Sequence, residues 1–256
     1  MVLIQHNAIR GLVMETQKTL IVGANSSIAK AIAKEIKTGL VLISRSLDQA
    51  DVTYSELNDN NIYITINDYE PESIKQAIAL IPRNEKKPIT RVFICNGILH
   101  TDKIKPEKRM EELDTASFNL VMKANALTPM LWIQQLTPLM RSKSPCKLVV
   151  FSARVGSISD NRLGGWYSYR ASKAALNMML KNTAIEFSRR SKNIKVIVFH
   201  PGTTDTALSK PFQKNVSPQQ LFTSEFVAQQ LLTIIETIAL DQSASYLDWL
   251  GKTISW

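Results

Sequence analysis

The fold of this chain is decided by one short stretch, which reads Thr19-Leu20-Ile21-Val22-Gly23-Ala24-Asn25-Ser26-Ser27-Ile28-Ala29. Its first four residues form an apolar run that stops at Gly23, which is the pattern of a short strand buried in a sheet. From about Ser27 to Lys37 the apolar residues recur three or four positions apart, as in an amphipathic helix. A turn between a buried strand and a helix presents backbone N–H groups and the positive end of a helix dipole, so it predicts a pyrophosphate site.

The turn departs from the usual glycine-rich pattern of such sites. Ser27 and Ala29 stand where glycines are expected, although both are small enough to allow a close approach. Asn25, Ser26 and Ser27 add side-chain donors, and Ile28 follows them in the predicted helix. A plain capped turn contains the same residue types, so the phosphate site depends on evidence from the rest of the chain.

The rest of the chain repeats the alternation of strand and helix. Further strands are predicted at 40–43, 62–66, 92–95, 147–151, 194–199 and 245–249. Helices are predicted at 72–80, 117–140, 167–189 and 226–240, with Pro129 and Pro138 interrupting and ending the second of them. This alternation predicts an α/β fold, a single domain with a doubly wound parallel sheet of about seven strands and helices on both faces. The domain is expected to span residues 18–256, after a leader of residues 1–17.

The composition favours a protein of the cytoplasm. The formal net charge is +9, but the basic residues are scattered, and no basic stripe interleaved with aromatic residues indicates a nucleic acid. The two cysteines, Cys95 and Cys146, cannot build a disulfide framework or a metal site. No apolar run approaches the roughly 18 residues of a membrane span. We therefore expect a cytoplasmic protein that acts without a nucleic acid, a membrane or a metal ion.

One pair of residues in the second long helix indicates proton chemistry. Tyr169 and Lys173 are four residues apart and share one face of the predicted helix. An ammonium group close to a phenol favours the phenolate and lowers the tyrosine pKa. The pair is therefore a candidate proton donor and acceptor near neutral pH, although the same spacing occurs by chance in many helices.

Taken together, the motifs resemble those of one enzyme family. They are the turn at Gly23, Cys95-Asn96-Gly97 after the fourth strand, Asn125, the pair Tyr169 and Lys173, and Pro201-Gly202-Thr203 after the sixth strand. In these motifs the chain resembles the classical short-chain dehydrogenase/reductases from Thr19 to about Thr206, and more loosely to Trp256. The segments 153–157, 169–173 and 200–202 are most similar to the C-factor-like and Sniffer-like carbonyl reductases. The resemblance implies a Rossmann-type oxidoreductase that moves a hydride between a nicotinamide and a small carbonyl or alcohol substrate.

The resemblance also implies a role for individual residues. Tyr169 is expected to be the general acid or base, and Lys173 to hold the nicotinamide ribose and lower the Tyr169 pKa. Asn125 is expected to position a water between Lys173 and solvent, or else to be an ordinary buried polar residue of its helix. The other expected cofactor contacts are Gly23, Asn25, Ser26, Ser27, Ile28, Asn96, Gly97, Pro201, Gly202 and Thr203, with Asn67 or Asp68 at the adenine.

The end of the second strand bears on the choice of cofactor. It reads Ser44-Arg45-Ser46, where a protein that binds NAD places an acid for the ribose hydroxyls. An arginine flanked by hydroxyl groups would instead hold a 2′-phosphate. We therefore favour NADP(H), while NAD(H) stays possible if Asp48 turns inward.

The chain departs from the family pattern at the catalytic serine. That position is Ala153, which follows Ser152. Alternation along a strand makes Ser152 face away from Ala153, whereas Ser157 could curl back into the site. We select Ser157, with Ser152 or neither residue as the alternatives. The asparagine run of the family is also altered here, to Ile94-Cys95-Asn96-Gly97.

The helix that carries the reactive pair is apolar on two sides. One face holds Tyr169, Lys173, Leu176, Leu180, Ala184 and Phe187, and the other holds Ala171, Ala174, Ala175, Met178 and Ile185. A helix that is apolar on two sides is buried on two sides, so we expect a homodimer or homotetramer.

Residues 157–166 and 204–224 are expected to shape and cover the substrate pocket. The missing serine and the lost glycines keep open a second hypothesis, a cofactor-binding regulatory or signalling protein of the C-factor type with little turnover.

Overall fold

The computed structural model describes residues 17–36, 39–46, 61–84 and 86–256. Residues 1–16 of the predicted leader lie outside this part of the chain, and so does Asp48. The elements follow in the order β1 (Lys18–Val22), α1 (Ser27–Ile36), β2 (Leu40–Ser44), β3 (Ile62–Thr65), α2 (Pro71–Ala79), β4 (Ile89–Ile94), α3 (Thr115–Met122), α4 (Thr128–Met140), β5 (Cys146–Phe151), α5 (Tyr167–Arg190), β6 (Ile194–His200), β7 (Thr203–Thr204), β8 (Leu221–Phe222), α6 (Ser224–Thr237) and β9 (Ala244–Asp248).

Seven of these strands form one parallel sheet, in the order β3-β2-β1-β4-β5-β6-β9. The strands are rich in Val, Ile and Leu and are buried on both faces, which is why they read as continuous apolar runs. The prediction of a doubly wound sheet of about seven strands is confirmed. The strand order reverses direction between β1 and β4, and a crevice forms there beyond the carboxyl ends of the strands.

Two apolar cores cover the two faces of the sheet. On one face, Ala29 and Ile32 of α1 pack with Val227 and Leu231 of α6. On the other face, helices α2, α4 and α5 bury larger side chains, with Trp132 fully inaccessible to solvent. Within the part of the chain that the structure describes, no helix combines the length and apolar character needed to cross a membrane.

The long helical region predicted at 117–140 is broken earlier than expected. Helices α3 and α4 are separated by a π-helical turn at Lys123–Leu127, and Pro129 lies in the first turn of α4. The chain stays helical from the π turn into α4, because Leu127 and Thr128 both keep helical dihedral angles. The π turn widens the helix at Asn125, and such insertions are frequent at functional sites.

Helix α5 has the two faces that its sequence predicts. The residues of the sheet-facing side are all buried: Tyr169, Lys173, Leu176, Leu180, Ala184 and Phe187. On the second side, Ala171, Met178 and Ile185 are exposed in the single chain, and Ala174 and Ala175 are half-buried. The sheet-facing side places Tyr169 at the carboxyl end of the strands.

Candidate active site

Two adjoining cavities lie at the carboxyl edge of the sheet. A cavity of about 560 Å³ extends over the end of β2 and is lined by Ser44, Arg45 and Asp68. A second cavity of about 340 Å³ is lined by Tyr169 and Lys173. The two cavities share five lining residues of the turns after β1 and β4, namely Asn25, Ser26, Cys95, Asn96 and Gly97. They therefore form one continuous crevice at the switch point of the sheet.

The turn after β1 requires a glycine at its first position. Gly23 has φ +75°, and a Cβ there would lie 3.0 Å from the backbone nitrogen of Asn96. The turn is held by Asn25, whose Nδ2 donates to Ser46 Oγ at 3.1 Å. Ser26 Oγ accepts from the backbone N–H of Ala29 at 3.3 Å in the first turn of α1. The backbone thus approaches the crevice closely even though Ser27 and Ala29 replace glycines.

Arg45 lies at the rim of the larger cavity. Its guanidinium carbon is 5.2 Å from the ring centroid of Tyr69, which itself packs edge-on against Trp132 with the ring centroids 5.9 Å apart. Burial raises the pKa of the Tyr69 phenol, so this ring is an uncharged platform beneath the cation. The same rim holds an ion pair in which Lys123 Nζ lies 2.5 Å from Glu70 Oε1.

Tyr169 and Lys173 are both buried in the wall of the smaller cavity. The Lys173 Nζ lies 5.9 Å from the centroid of the Tyr169 ring and donates to the carbonyl of Phe151 at 3.0 Å. Gly156 allows its loop to press on this turn of α5, because a Cβ there would come within 2.7 Å of Lys173 Cβ. Packing against the loop after β5 therefore fixes the direction of the lysine.

The ionisation of this pair differs from the sequence-based expectation. Burial lowers the pKa of Lys173 to about 8. Burial, with a smaller contribution from Tyr246, raises the pKa of Tyr169 above its ordinary value. Loss of hydration disfavours the charged form of each group, so the same burial raises the pKa of the phenol and lowers that of the ammonium. Tyr169 is therefore a protonated phenol at neutral pH.

Asn125 ties the loop after β4 to α5. Its Oδ1 accepts from the Ile98 N–H at 2.7 Å, and its Nδ2 donates to the Ile98 carbonyl at 2.8 Å and to Ser172 Oγ at 3.0 Å. A Cβ on Gly97 would lie 3.2 Å from Asn125 Oδ1 and 3.5 Å from Lys173 Nζ, so the three residues meet at one point. The π turn provides the room for this side chain at the sheet edge.

The two candidate serines occupy different surroundings. Ser152 lines the smaller cavity, and its hydroxyl donates to Asn177 Oδ1 at 2.6 Å. Ser157 is buried in its own loop, where its Oγ accepts from the Asp160 N–H at 3.2 Å, and it does not line that cavity. Of the two serines, only Ser152 lines the cavity, and its hydroxyl is turned to Asn177, which lines neither cavity.

The start of α5 has an unusual cap. The residue before the helix is Trp166, in the left-handed region at φ 52°, and its side chain makes no capping hydrogen bond. The capping role falls to Glu107, which is buried. Its carbonyl accepts from the Trp166 N–H at 2.5 Å, and its carboxylate accepts from the Ser168 N–H at 3.1 Å and from the Ser168 hydroxyl. This contact anchors the turn of α5 that carries Tyr169.

Most of the predicted cofactor residues line the crevice. The lining includes Gly23, Asn25, Ser26, Ser27, Ile28, Ser44, Arg45, Asp68, Asn96, Gly97, Tyr169, Lys173, Pro201 and Gly202. Asn67 and Thr203 do not line either cavity, whereas their neighbours Asp68 and Thr204 do. Sequence reasoning missed two residues that line the larger cavity, Tyr69 and Lys123. Their only signal was position in the chain: Tyr69 follows shortly after β3, and Lys123 lies two residues before Asn125.

The crevice fits a nicotinamide dinucleotide. Its glycine at positive φ, the N-terminus of α1 and the cavity over β2 suit a pyrophosphate and an adenosine. In addition, the buried Asn96 Oδ1, at the wall shared by both cavities, has no hydrogen-bond partner among the described residues, which calls for a partner from outside them. A dinucleotide-sized crevice with a Tyr–Lys pair in its wall is the arrangement expected of a nicotinamide-dependent oxidoreductase.

Comparison with known proteins identifies the family. The model of the short chain dehydrogenase family matches residues 17–217, and the chain belongs to this family. A dehydrogenase of 1-hydroxy-2-glutathionyl-2-methyl-3-butene from Rhodococcus sp. (strain AD45) is 28% identical over 240 residues, which are 93% of this chain and 98% of that protein. The C-signal protein of Myxococcus xanthus is 26% identical over 145 residues, which are 57% of this chain and 82% of that protein.

A solved structure supports the same assignment. A short-chain dehydrogenase/reductase from Burkholderia multivorans with bound NADP superposes with a TM-score of 0.76 at 25% identity, covering 93% of this chain and 99% of that one. The resemblance indicated by the sequence motifs is thus confirmed, and the chain is an oxidoreductase of this family.

Proposed function

We propose that the protein is an NADP(H)-dependent reductase of carbonyl compounds. The observation that carries this proposal is the buried pair Tyr169 and Lys173 in the wall of a cavity that continues into the dinucleotide crevice. A nicotinamide cofactor held by the residues of the crevice would supply the hydride for the carbonyl carbon of the substrate. Tyr169 donates its proton to the carbonyl oxygen, and the product is the alcohol.

The protonated form of Tyr169 is the one that can act as the acid in carbonyl reduction. A general acid must carry its proton when the substrate arrives, and burial keeps the phenol protonated. Lys173 holds the ribose hydroxyls and, in its ammonium form, stabilises the phenolate that remains after proton transfer. Asn125 fixes the loop after β4 beside Lys173 and, as the family resemblance implies, orders a water that returns the proton from solvent.

Three features support NADP(H) over NAD(H). Arg45 lines the cavity beyond β2 and lies over Tyr69, and the hydroxyls of Ser44 and Ser46 flank it. A 2′-phosphate would accept charge-assisted hydrogen bonds from this group. The Burkholderia multivorans relative binds NADP, which is consistent with this choice.

We further propose that the protein is a cytoplasmic homodimer or homotetramer that acts on a small-molecule substrate without a nucleic acid or a membrane. The second face of α5 leaves Met178 60% and Ile185 48% exposed in the single chain. Burying this face against a second copy would remove apolar surface from water. A Met178→Lys, Ile185→Lys double variant should have a smaller mass by light scattering, and an unchanged mass would contradict this interface.

The second candidate function is a cofactor-binding regulatory protein. Ala153 in place of the catalytic serine and the relationship to C-signal favour it. Two measurements separate the hypotheses: oxidation of NADPH with a panel of aldehydes and ketones, and the shift of the melting temperature that each cofactor produces. Turnover supports the reductase, whereas stabilisation by NADPH without turnover of any carbonyl supports the regulatory protein.

A further inference from the structure

A further cavity lies at the amino edge of the sheet, opposite the crevice. Its volume is about 570 Å³, and its lining comes from two segments, 82–89 and 138–144. The first segment leads into β4, and the second joins the end of α4 to β5. No residue lines both this cavity and the crevice. The volume is within the range of pockets that hold small molecules, so the charge of the lining indicates what could bind there.

Four cationic side chains line this amino-edge cavity: Arg83, Lys87, Arg141 and Lys143. The described residues of its lining include no carboxylate. Over the whole of segments 82–89 and 138–144, the sequence has five basic residues and one acidic residue, Glu85, which lies outside the described part of the chain. The excess of positive charge therefore does not depend on where Glu85 is placed.

The ends of the neighbouring helices account for only one of these cations. A cation at the end of a helix offsets the negative pole of its dipole, but this effect falls off beyond the last turn. Arg141 directly follows α4, whereas Arg83 and Lys87 lie four and eight residues beyond α2. Neither Arg83, Lys87 nor Lys143 forms an ion pair with a described carboxylate. These three cations are thus available to a ligand.

The positive charge also acts on a neighbouring lysine. Lys18 Nζ donates to the carbonyl of Pro82, in the cavity wall, at 3.4 Å. Burial, with a contribution from the charge of Lys87, lowers the pKa of Lys18. An anion in the cavity would relieve the repulsion between these cations.

The two walls of the cavity are ordered by the protein itself. Asn193 Nδ2 donates to the carbonyl of Met140 at 2.9 Å and to that of Ser144 at 3.0 Å. Arg141 Nε donates to Ser191 Oγ at 2.8 Å, which holds the guanidinium at the wall. The other wall contains two prolines, each of which fixes one backbone dihedral angle. Because the walls are ordered in advance, a ligand does not have to order them on binding.

We propose that the amino-edge cavity is an anion site for a small polyphosphate, a compound with two or more linked phosphate groups. Guanidinium and ammonium groups form charge-assisted hydrogen bonds with phosphate oxygens. Four cations on two walls are matched by a ligand with several negative charges, and linked phosphates carry these charges in one small molecule. The site is independent of the proposed reductase function, because no residue of the crevice takes part in it.

The test is a calorimetric titration of the whole protein with sodium tripolyphosphate. Ionic strength is fixed with sodium chloride, because salt screens contacts of this kind. The double variant Lys87→Gln, Lys143→Gln removes one exposed charge from each wall. At the lower end for a hydrogen bond to a charged group, this variant should bind tripolyphosphate about tenfold more weakly, or worse. Wild-type affinity in the double variant overturns the proposal.

Two control variants locate the bound ligand. Lys75→Gln, Lys252→Gln removes the same charge at two exposed residues that line neither the amino-edge cavity nor the crevice. Arg45→Ala removes a cation from the crevice. Both variants should keep the wild-type affinity for tripolyphosphate. An equal loss in the first control reduces the effect to net charge, and a loss in Arg45→Ala alone places the ligand in the crevice; either result overturns the proposal.

Two further ligands test the chemical class. Citrate carries several carboxylates and no phosphate, so it should bind more weakly than tripolyphosphate, and equal affinity overturns the assignment to phosphate. Single-stranded RNA tests a polymer as the ligand: if it binds while tripolyphosphate does not bind below about 1 mM, the small ligand is overturned. Circular dichroism checks the fold of each variant, and Lys143→Gln alone serves the same comparison if the double variant does not fold.

Discussion

Replacing Arg45 with alanine should erase most of the preference for NADPH over NADH. The two cofactors differ by the 2′-phosphate, and Arg45 is the charged group that ends β2 at the cavity wall. A hydrogen bond to a charged group contributes about 1.5–3 kcal/mol. Because Arg45 is exposed, we take the lower end, which corresponds to about tenfold in affinity. The variant should therefore bind NADPH about tenfold more weakly, with the affinity for NADH nearly unchanged.

The Tyr69 ring beneath Arg45 provides a second, smaller perturbation of the same contact. Tyr69→Leu removes the ring that positions the guanidinium, and a cation over a ring at an exposed site contributes about 0.5–1 kcal/mol, so NADPH binding should weaken by at most about twofold to fivefold. Dissociation constants for both cofactors are measured by calorimetry at one fixed salt concentration, because the contact is electrostatic. Arg83→Ala is the control, since Arg83 is exposed just before the amino end of β4 and so removes the same charge away from the crevice. A wild type that prefers NADH would refute this reasoning and direct attention to Asp48.

Three further predictions concern the catalytic residues. Tyr169→Phe should lower turnover by about 10² or more with little change in NADPH affinity. Tyr167→Phe, at an exposed residue two positions away, is the control and should change turnover little. Equal turnover in the two variants would show that Tyr169 is not the acid. Ser152→Ala should cost more turnover than Ser157→Ala because only Ser152 lines the cavity, and the reverse order would favour the loop serine. Because burial lowers the pKa of Lys173 to about 8 in the free protein, its ammonium form falls from about nine-tenths at pH 7 to about one-tenth at pH 9. NADPH affinity should therefore fall about tenfold over that range and become independent of pH in Lys173→Met; a flat titration of wild type would contradict this role.

The sequence predicts the sheet well because its strands are buried on both faces. A strand buried on both faces is apolar at most positions, so runs such as Leu148 to Phe151 of β5 can be recognised without knowledge of their neighbours. The turn at Gly23 is equally legible, since a positive φ and a close approach to Asn96 exclude other residues. The sequence predicts an interruption at Pro129, whereas the structure has a π turn at Lys123–Leu127, just before it. No characteristic residue pattern marks a π turn in a sequence, so its position was not predicted.

The ionisation of the site was not predictable from spacing alone. The interval between Tyr169 and Lys173 indicates their proximity, and from proximity follows the expectation of a lowered tyrosine pKa. How deeply the two groups are buried depends on the tertiary structure. This burial raises the pKa of Tyr169, which is opposite to the direction expected from the spacing, and lowers that of Lys173. A raised phenol pKa and a lowered ammonium pKa both result from the same loss of water. The site therefore favours a neutral acid before the cofactor and substrate arrive.

The position of Tyr169 depends on a contact that sequence cannot reveal. The helix N-terminus would ordinarily be capped by a Ser, Thr, Asp or Asn side chain just before its first turn, and Trp166 occupies that place. Glu107 supplies the missing acceptor from 61 residues upstream, through the N–H and hydroxyl of Ser168. Because Glu107 provides the cap, the residue before the helix does not need a capping side chain and can be Trp166, whose ring packs edge-on against that of Tyr169. The cap from this distant part of the chain thus explains how a tryptophan with a positive φ is tolerated at the start of the helix that carries Tyr169.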